Sequence, residues 1–306
     1  KKTVIKMNDS IIDNPLVSIV IPCYNHDQFV QESIQSIIDQ DYKNIELIVI
    51  DDGSKDKSVE KIKELIPACE ARFVRFEFRS RSNKGLCKTL NEGLDWCEGI
   101  YYSGLASDDL IKPHKISYQV EFLNKHPEYV GVFGATEIIY QDGKRGSVIR
   151  NPKVYSFIDI FLHKHNLPAL TQFFRLANVK NVNGFRQDYI IEDWMIFLDL
   201  TKNGELLYTD KEVLASYRRH EGNLSGQLDK MLEGRLQIID TFKDHPLYKE
   251  AKARIFLMQA CDLVELEKVK SISFVVKALY INFSVIFSKL FLIYLSKFLS
   301  QKNMFK

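Results

Sequence analysis

The chain has 306 residues, 45% of them hydrophobic and 27% charged, with a formal net charge of +2. That is enough chain to bury a sizeable core in one large or two small domains, and so small a net charge leaves no electrostatic footprint for nucleic acid. The five cysteines (Cys23, Cys69, Cys87, Cys97 and Cys261) are odd in number and lack CxxC spacing, which fits reduced thiols in a cytosolic protein better than a disulfide framework.

The opening stretch KKTVIKMNDSIIDNP lacks the apolar core of a signal peptide. No later stretch reaches the run of about eighteen uncharged apolar residues that a spanning helix needs. The expectation is a chain on the cytosolic side of the membrane. LVSIVI (16–21) reads as a buried strand, and Val30, Ile34, Ile37 and Ile38 follow at helical spacing. IELIVI (45–50) is the second strand, and the next helix is predicted from about Ser54, an N-cap type, with Val59, Ile62, Leu65 and Ile66 on one face. FVRFEF (73–78) is a third strand, Leu86, Leu90, Leu94 and Cys97 a third helical face, and IYYSGL (100–105) a fourth strand. Strand alternating with helix predicts a mostly parallel sheet covered on both faces. From 136 to 220 the pattern loosens into strands and short helices, an elaboration of the first half, and 226–266 reads as helical.

Ligands of such sheets bind beyond the C-terminal ends of the strands. Three polar clusters fall there: Pro22–Asn25, Asp51–Ser54 and Ser107–Asp109. Two contain adjacent carboxylates, Asp51-Asp52 and Asp108-Asp109, which repel unless water, donors or a cation stand close. A divalent cation with a nucleotide diphosphate is one reading; solvated turns with capping aspartates are the other.

After Glu267 no acidic residue remains, while Lys268, Lys270, Lys277, Lys289, Lys297, Lys302 and Lys306 are spread among Phe274, Val275, Leu279, Tyr280, Phe283, Ile286, Phe287, Leu290, Phe291, Tyr294, Leu295 and Phe298. This composition suits helices lying in a bilayer interface, and it equally suits C-terminal helices packed on the protein.

VSIVIPCYNHDQFVQESIQSIIDQDYKNIELIVIDDGSKDKS (17–58), NKGLCKTLNEGLDWCEGIYYSGLASDD (83–109) and NGFRQDYIIEDWMIFLDL (183–200) resemble, in this order, segments of glycosyltransferase family 2, the inverting GT-A enzymes that use nucleotide sugars. The likeness runs from about 16 to 223 and implies a GT-A, Rossmann-like α/β fold with flanking helices. The domains expected are an extension (1–15), a GT-A domain (16–225, divided near 110) and a helical C-terminal region (226–306), and the resemblance assigns the residues as follows. Pro22, Tyr24, Asn25, Asp52, Asn83, Gly85, Lys88 and Asp108 would meet the nucleotide, with Asp52 on the N3–H of uracil. Asp109, Asp108 and His220 would hold Mn²⁺ or Mg²⁺. Asp193 would be the catalytic base, and Glu192 and Trp194 would face the acceptor. Ala106 stands where the family's metal motif usually has an acidic residue. On their residues alone, Tyr24 reads as packing, Lys88 as a solvated helix face, His220 as a surface histidine, His163 and His165 as loop residues, and Glu192-Asp193 as helix N-terminal charge.

The expected reaction moves a hexose or N-acetylhexosamine from a UDP-sugar to a polyprenyl-diphosphate-linked saccharide at an anionic membrane surface, in bacterial surface polysaccharide or O-antigen synthesis. No Q-x-x-R-W motif of the processive members is present, which favours single addition. The rivals are a nucleotidyltransferase, disfavoured because Pro22-Cys23-Tyr24-Asn25 is not a Gly-rich phosphate loop, and a membrane-surface nucleotide binder with a decayed site, for which Ala106 is the only hint. An NAD-binding protein would need a G-x-G-x-x-G after a strand.

Overall fold

The computed structural model describes residues 13–300, so most of the 1–15 extension, and Lys302 and Lys306 at the other end, lie outside the described residues. The elements run β1 (Val17–Cys23), α1 (Val30–Ile38), β2 (Ile45–Asp51), α2 (Ser58–Arg72), β3 (Arg75–Ser80), α3 (Leu86–Trp96), β4 (Tyr101–Gly104), β5 (Leu110–Ile111), α4 (Lys115–Lys125), β6 (Tyr129–Tyr140), β7 (Arg145–Ile149) and β8 (Lys153–Tyr155). They continue with α5 (Phe157–Phe161), β9 (Phe173–Arg175), α6 (Leu176–Asn181), α7 (Glu192–Thr201), β10 (Glu205–Arg219), α8 (Leu228–Asp240), α9 (Tyr248–Leu263), α10 (Lys268–Ile281) and α11 (Lys289–Ser300). The chain groups into two compact units. One holds the chain through Val154 with Leu167–Gly184 and Gly204–Arg218; the other holds Tyr155–Asn166, Phe185–Asn203 and everything from Arg219.

The first unit is built on a sheet of strand order β3-β2-β1-β4-β9-β6-β10-β5. VSIVIPC and IELIVID are apolar at nearly every position and rich in β-branched residues, which suits strands covered on both faces. They pair in parallel, from Val17 opposite Ile45 to Cys23 opposite Asp51, and β3 and β4 extend the parallel set on either side. Beyond β4 the direction reverses: β9 runs antiparallel to both β4 and β6, and β5 to β10. Val30, Ile34 and Ile37 of α1 and Ile116, Val120 and Leu123 of α4 close one core with Ile19, Ile21, Leu47 and Val49. Each such side chain taken from water contributes about 1.5–3 kcal/mol. Because Cys23 lies opposite Asp51 and Asp51 opposite Ser80, the strand ends at 22–26, 51–54 and 81–85 emerge at one edge.

Helix α2 begins at Ser58 instead of near Ser54. The Ser54 hydroxyl donates to the Asp51 carboxylate and accepts the Asn25 N–H at 2.9 Å, so it ties two loops together instead of capping a helix.

In the second unit, α9, α10 and α11 share a core of Ala253, Leu257, Ala260, Phe274, Val275, Ala278 and Tyr294. The reading of C-terminal helices packed on the protein holds for Phe274, Val275 and Tyr294, which point inward, whereas Tyr280, Phe283, Phe287 and Leu295 are exposed. No helix among the described residues is long and apolar enough to cross a membrane.

Lys115, at the start of α4, is fully buried, and its ammonium donates to Ser103 Oγ at 2.8 Å. Burial pushes its pKa down to about 7. The unfolded chain holds that proton up to about pH 10, so between these values the unfolded state binds more protons and stability should rise with pH, by about 1.4 kcal/mol per unit from this group. Lys115→Met should therefore stabilise the protein at pH 7, with a gain that shrinks towards pH 10. Denaturant midpoints across that range check it, and a gain independent of pH would refute the assignment.

Candidate active site

At the edge where the parallel strands end, the Asp51 and Asp52 carboxylates point into different tasks. Asp51 Oδ1 accepts the N–H groups of Gly53 and Ser54, both at 3.1 Å, which closes the turn. Asp52, 4% exposed, reaches the next loop: Oδ1 accepts Lys84 N–H at 2.7 Å and the Arg81 guanidinium, and Oδ2 accepts Gly85 N–H at 2.9 Å. Both glycines are required. Gly53 has φ +80° and a Cβ there would lie 2.7 Å from Asn83 N; Gly85 has φ +91°. Asn25, also left-handed at φ +54°, accepts Lys55 N–H on its side-chain oxygen at 2.7 Å. Tyr24, Asn83 and Lys88 are exposed and Pro22 is partly buried.

The second acidic pair is buried, Asp108 at 8% and Asp109 at 5% exposure. Asp109 Oδ1 accepts the backbone N–H of Arg218 at 2.8 Å. The Arg218 guanidinium donates through Nε to the Asp108 carbonyl at 2.9 Å and through Nη2 to Glu32 at 2.6 Å, with Phe29 5.1 Å away. Burial and the charge of Asp108 push Asp109 well above the usual carboxylate range. A ring nitrogen of His26 and a carboxylate oxygen of Asp108 lie within 4.8 Å of each other, and His26 Nδ1 is 2.7 Å from Ser107 Oγ. A histidine oriented through one ring nitrogen beside a buried carboxylate pair is a donor set that suits Mn²⁺ or Mg²⁺. Ala106 is exposed, and its carbonyl accepts from Ser33 Oγ at 3.1 Å and from the Asp109 N–H at 3.2 Å. His220 lies in the turn after β10, where its N–H donates to Asn223 Oδ1 at 2.7 Å and its Nδ1 accepts Gly222 N–H at 3.2 Å.

In the second unit, Glu192 and Asp193 open α7, whose residues from Trp194 to Thr201 are all buried. Burial and the neighbouring Asp193 charge raise the Glu192 pKa to about 8; Asp193 is also raised by burial, opposed by the Trp194 N–H on its Oδ1 at 2.6 Å. A helix N-terminus would lower both by the equivalent of about 0.3–1 kcal/mol, so desolvation outweighs the dipole here. Trp194 is only 1% exposed and its indole N–H donates to the Ile160 carbonyl at 2.9 Å. It offers the acceptor no surface and instead seats the start of α7, with His163 edge-on at 4.7 Å.

Three contributors carry no local sequence signal strong enough to single them out. His26 is one residue past the Pro22–Asn25 cluster, at the same strand end, and that position is its only clue. Arg81 and Arg218 read as ordinary surface cations. Arg218 contacts Asp108, Asp109 and Glu32 across 110, 109 and 186 positions of sequence, which no motif spacing conveys.

The helix-flanked sheet is of the GT-A glycosyltransferase type, and solved structures share this fold. S. aureus TarS 1-349 in complex with UDP-GlcNAc matches 93% of this chain and 79% of its own, with TM-score 0.56 and 16% identity. The mannosyltransferase PcManGT from Pyrobaculum calidifontis, in complex with GDP-Man and Mn2+, matches 96% of this chain and 89% of its own, with TM-score 0.58 and 13% identity. The family model for glycosyl transferase family 2 matches residues 18–184, and the chain belongs to that family. A Haemophilus influenzae glycosyltransferase is 31% identical over 223 residues, 69% of this chain and 68% of its own, and one from Rickettsia typhi is 32% identical over 233 residues, 72% and 69%.

Because Asp108 and Asp109 are adjacent and buried, removing one charge should relieve repulsion. Asp109→Asn keeps an oxygen for the Arg218 N–H, and should raise stability in EDTA by about 1 kcal/mol; if Asp109 meets a cation, MnCl₂ should raise the melting temperature of the wild type and not of this variant. Melting curves with and without Mn²⁺ test both halves; an unchanged Mn²⁺ effect would remove Asp109 from the cation site.

Proposed function

We propose that this glycosyltransferase inverts configuration while moving a hexose or N-acetylhexosamine from a UDP-sugar to a hydroxyl of a polyprenyl-diphosphate-linked saccharide, in bacterial surface polysaccharide or O-antigen synthesis. The observation that carries the reading is the buried Asp108–Asp109 pair at the strand edge, with His26 beside Asp108. Asp108, Asp109 and His26 would hold Mn²⁺ or Mg²⁺, joined by His220, two residues along the chain from Arg218. When bound, the cation supplies Lewis-acid neutralisation of the departing diphosphate.

The chain's own groups do the rest. Asp52 has about four acceptor directions; its loop contacts take two on Oδ1 and one on Oδ2, so one on Oδ2 is left to accept the N3–H of uracil, a donor that cytosine lacks. Tyr24 supplies an exposed ring beside that position, and the 83–88 loop, with Asn83, Gly85 and Lys88, borders it. TarS is described with UDP-GlcNAc, and PcManGT with GDP-Man and Mn2+, which supports a nucleotide-sugar donor and a divalent cation; the choice of uracil rests on Asp52. Asp193 takes the proton of the acceptor hydroxyl as it attacks, and Glu192, raised to about 8, is protonated near neutral pH and able to donate to the acceptor. A lipid-linked acceptor places the enzyme on the inner face of the cytoplasmic membrane.

Asp193→Asn preserves shape but cannot take the proton, so kcat should fall by roughly 10²–10⁴-fold with donor affinity unchanged. NMR of the product linkage should show the anomeric configuration opposite to the donor's. Retained configuration, or near wild-type turnover, would place the base elsewhere. Calorimetry with UDP separates the donor site from this step: Asp52→Ala should weaken UDP with or without Mn²⁺, whereas Asp109→Ala should remove only the Mn²⁺-dependent gain.

A further inference from the structure

Building on the membrane-side acceptor just proposed, we infer that the outward face of α10, together with the 3₁₀ turn Phe283–Phe287 that follows it, is a lipid-contact surface lying in the interface of an anionic bilayer.

α10 is apolar on two opposite sides. One stripe, Ser271, Phe274, Val275 and Ala278, is buried in the core shared with α9 and α11. At about 3.6 residues per turn, Val269, Ile272, Val276 and Tyr280 form a second stripe on the far side. Nothing among the described residues covers it: Val269 is 83% and Tyr280 92% exposed. The apolar surface continues into Phe283 and Phe287, the latter 82% exposed, and into Leu292, Leu295 and Leu299 of α11. Single exposed hydrophobic residues are ordinary on a protein surface. Here eleven of the nineteen large hydrophobic side chains exposed among the described residues lie between Leu266 and Leu299, and such clustering marks an interaction surface.

Charge selects the occupant. Lys277, on the flank of α10, and Lys289, at the start of α11, are exposed and form no ion pair among the described residues; the Lys277 ammonium rests 4.8 Å from the Phe274 ring and 5.9 Å from the Phe256 ring, contacts that leave its charge without an acidic partner. A second copy docked on this face would set lysines against lysines, because no acidic residue follows Glu267 to answer them. Anionic headgroups answer the lysines, and the acyl boundary answers the stripe between them. Tyr280, with an apolar ring and a polar tip, suits headgroup depth.

The test uses the full chain and two sets of vesicles, phosphatidylcholine alone and phosphatidylcholine mixed equally with phosphatidylglycerol. The wild type should co-sediment preferentially with the mixed vesicles, and added salt should weaken that preference. The triple variant Tyr280→Ser, Phe283→Ser, Phe287→Ser should partition at least about tenfold more weakly to both, with an unchanged melting curve. Lys277→Glu with Lys289→Glu should abolish only the preference for phosphatidylglycerol. Failure of the wild type to bind either vesicle, or triple-variant binding equal to wild type, overturns the inference. So does a wild-type dimer in sedimentation velocity that the triple variant dissociates, since the face would then join two copies. UDP release with a soluble saccharide acceptor, measured alongside, keeps the two readings apart. Its loss from every UDP-sugar with vesicle binding intact would reject the donor reading and leave the surface standing.

Discussion

Placing two adjacent carboxylates in the interior at the end of a sheet sets the main constraint on the first unit. Like charges at this separation resist joint ionisation, and an uncompensated buried charge costs several kcal/mol. The two acidic pairs meet this problem differently. Asp51 and Asp52 are answered from within, by the N–H groups of Gly53, Ser54, Lys84 and Gly85 and by Arg81. At Asp108 and Asp109 the nearby guanidinium of Arg218 donates to a carbonyl and to Glu32, a backbone N–H reaches Asp109, and a histidine stands beside Asp108. The first pair clamps two loops together. In the second, burial and the neighbouring charge raise Asp109, a strain that a divalent cation would relieve.

Arg218 organises that pair. It is 6% exposed, sits near the end of β10, and fixes the main chain of the acidic pair, while its charge opposes the rise that burial and Asp108 impose on Asp109.

In the second unit, the paired carboxylates of α7 are held by burial of everything behind them. Trp194, Met195, Ile196 and Phe197 are all within 1% of full burial, which fixes the start of the helix behind the partly exposed Glu192 and Asp193. Their raised pKa values follow from that anchoring, and a carboxylate shifted in this direction is a stronger base than a solvated one.

The strands, helices and family were legible in the sequence because each rests on local information. IELIVI needs burial on both faces wherever it lies, Leu86, Leu90 and Leu94 share a helical face through spacing alone, and Asp51-Asp52 and Asp108-Asp109 follow apolar runs that end at the same kind of place. Local chemistry was ambiguous where one side chain could serve two partners. Ser54 has the chemistry of a helix cap, and only the approach of Asn25 and Asp51 makes it a clamp between loops. Trp194 sits in the right motif for an acceptor platform, and only packing beneath Ile160 and His163 makes it an anchor. The pairing of His26 with Asp108, the reach of Arg218 back to β5 and α1, and the bare outer stripe of α10 belong to the tertiary structure alone. Each depends on which distant segments come together, and a linear pattern of hydrophobicity and charge specifies which residues seek burial but not which neighbour will supply it.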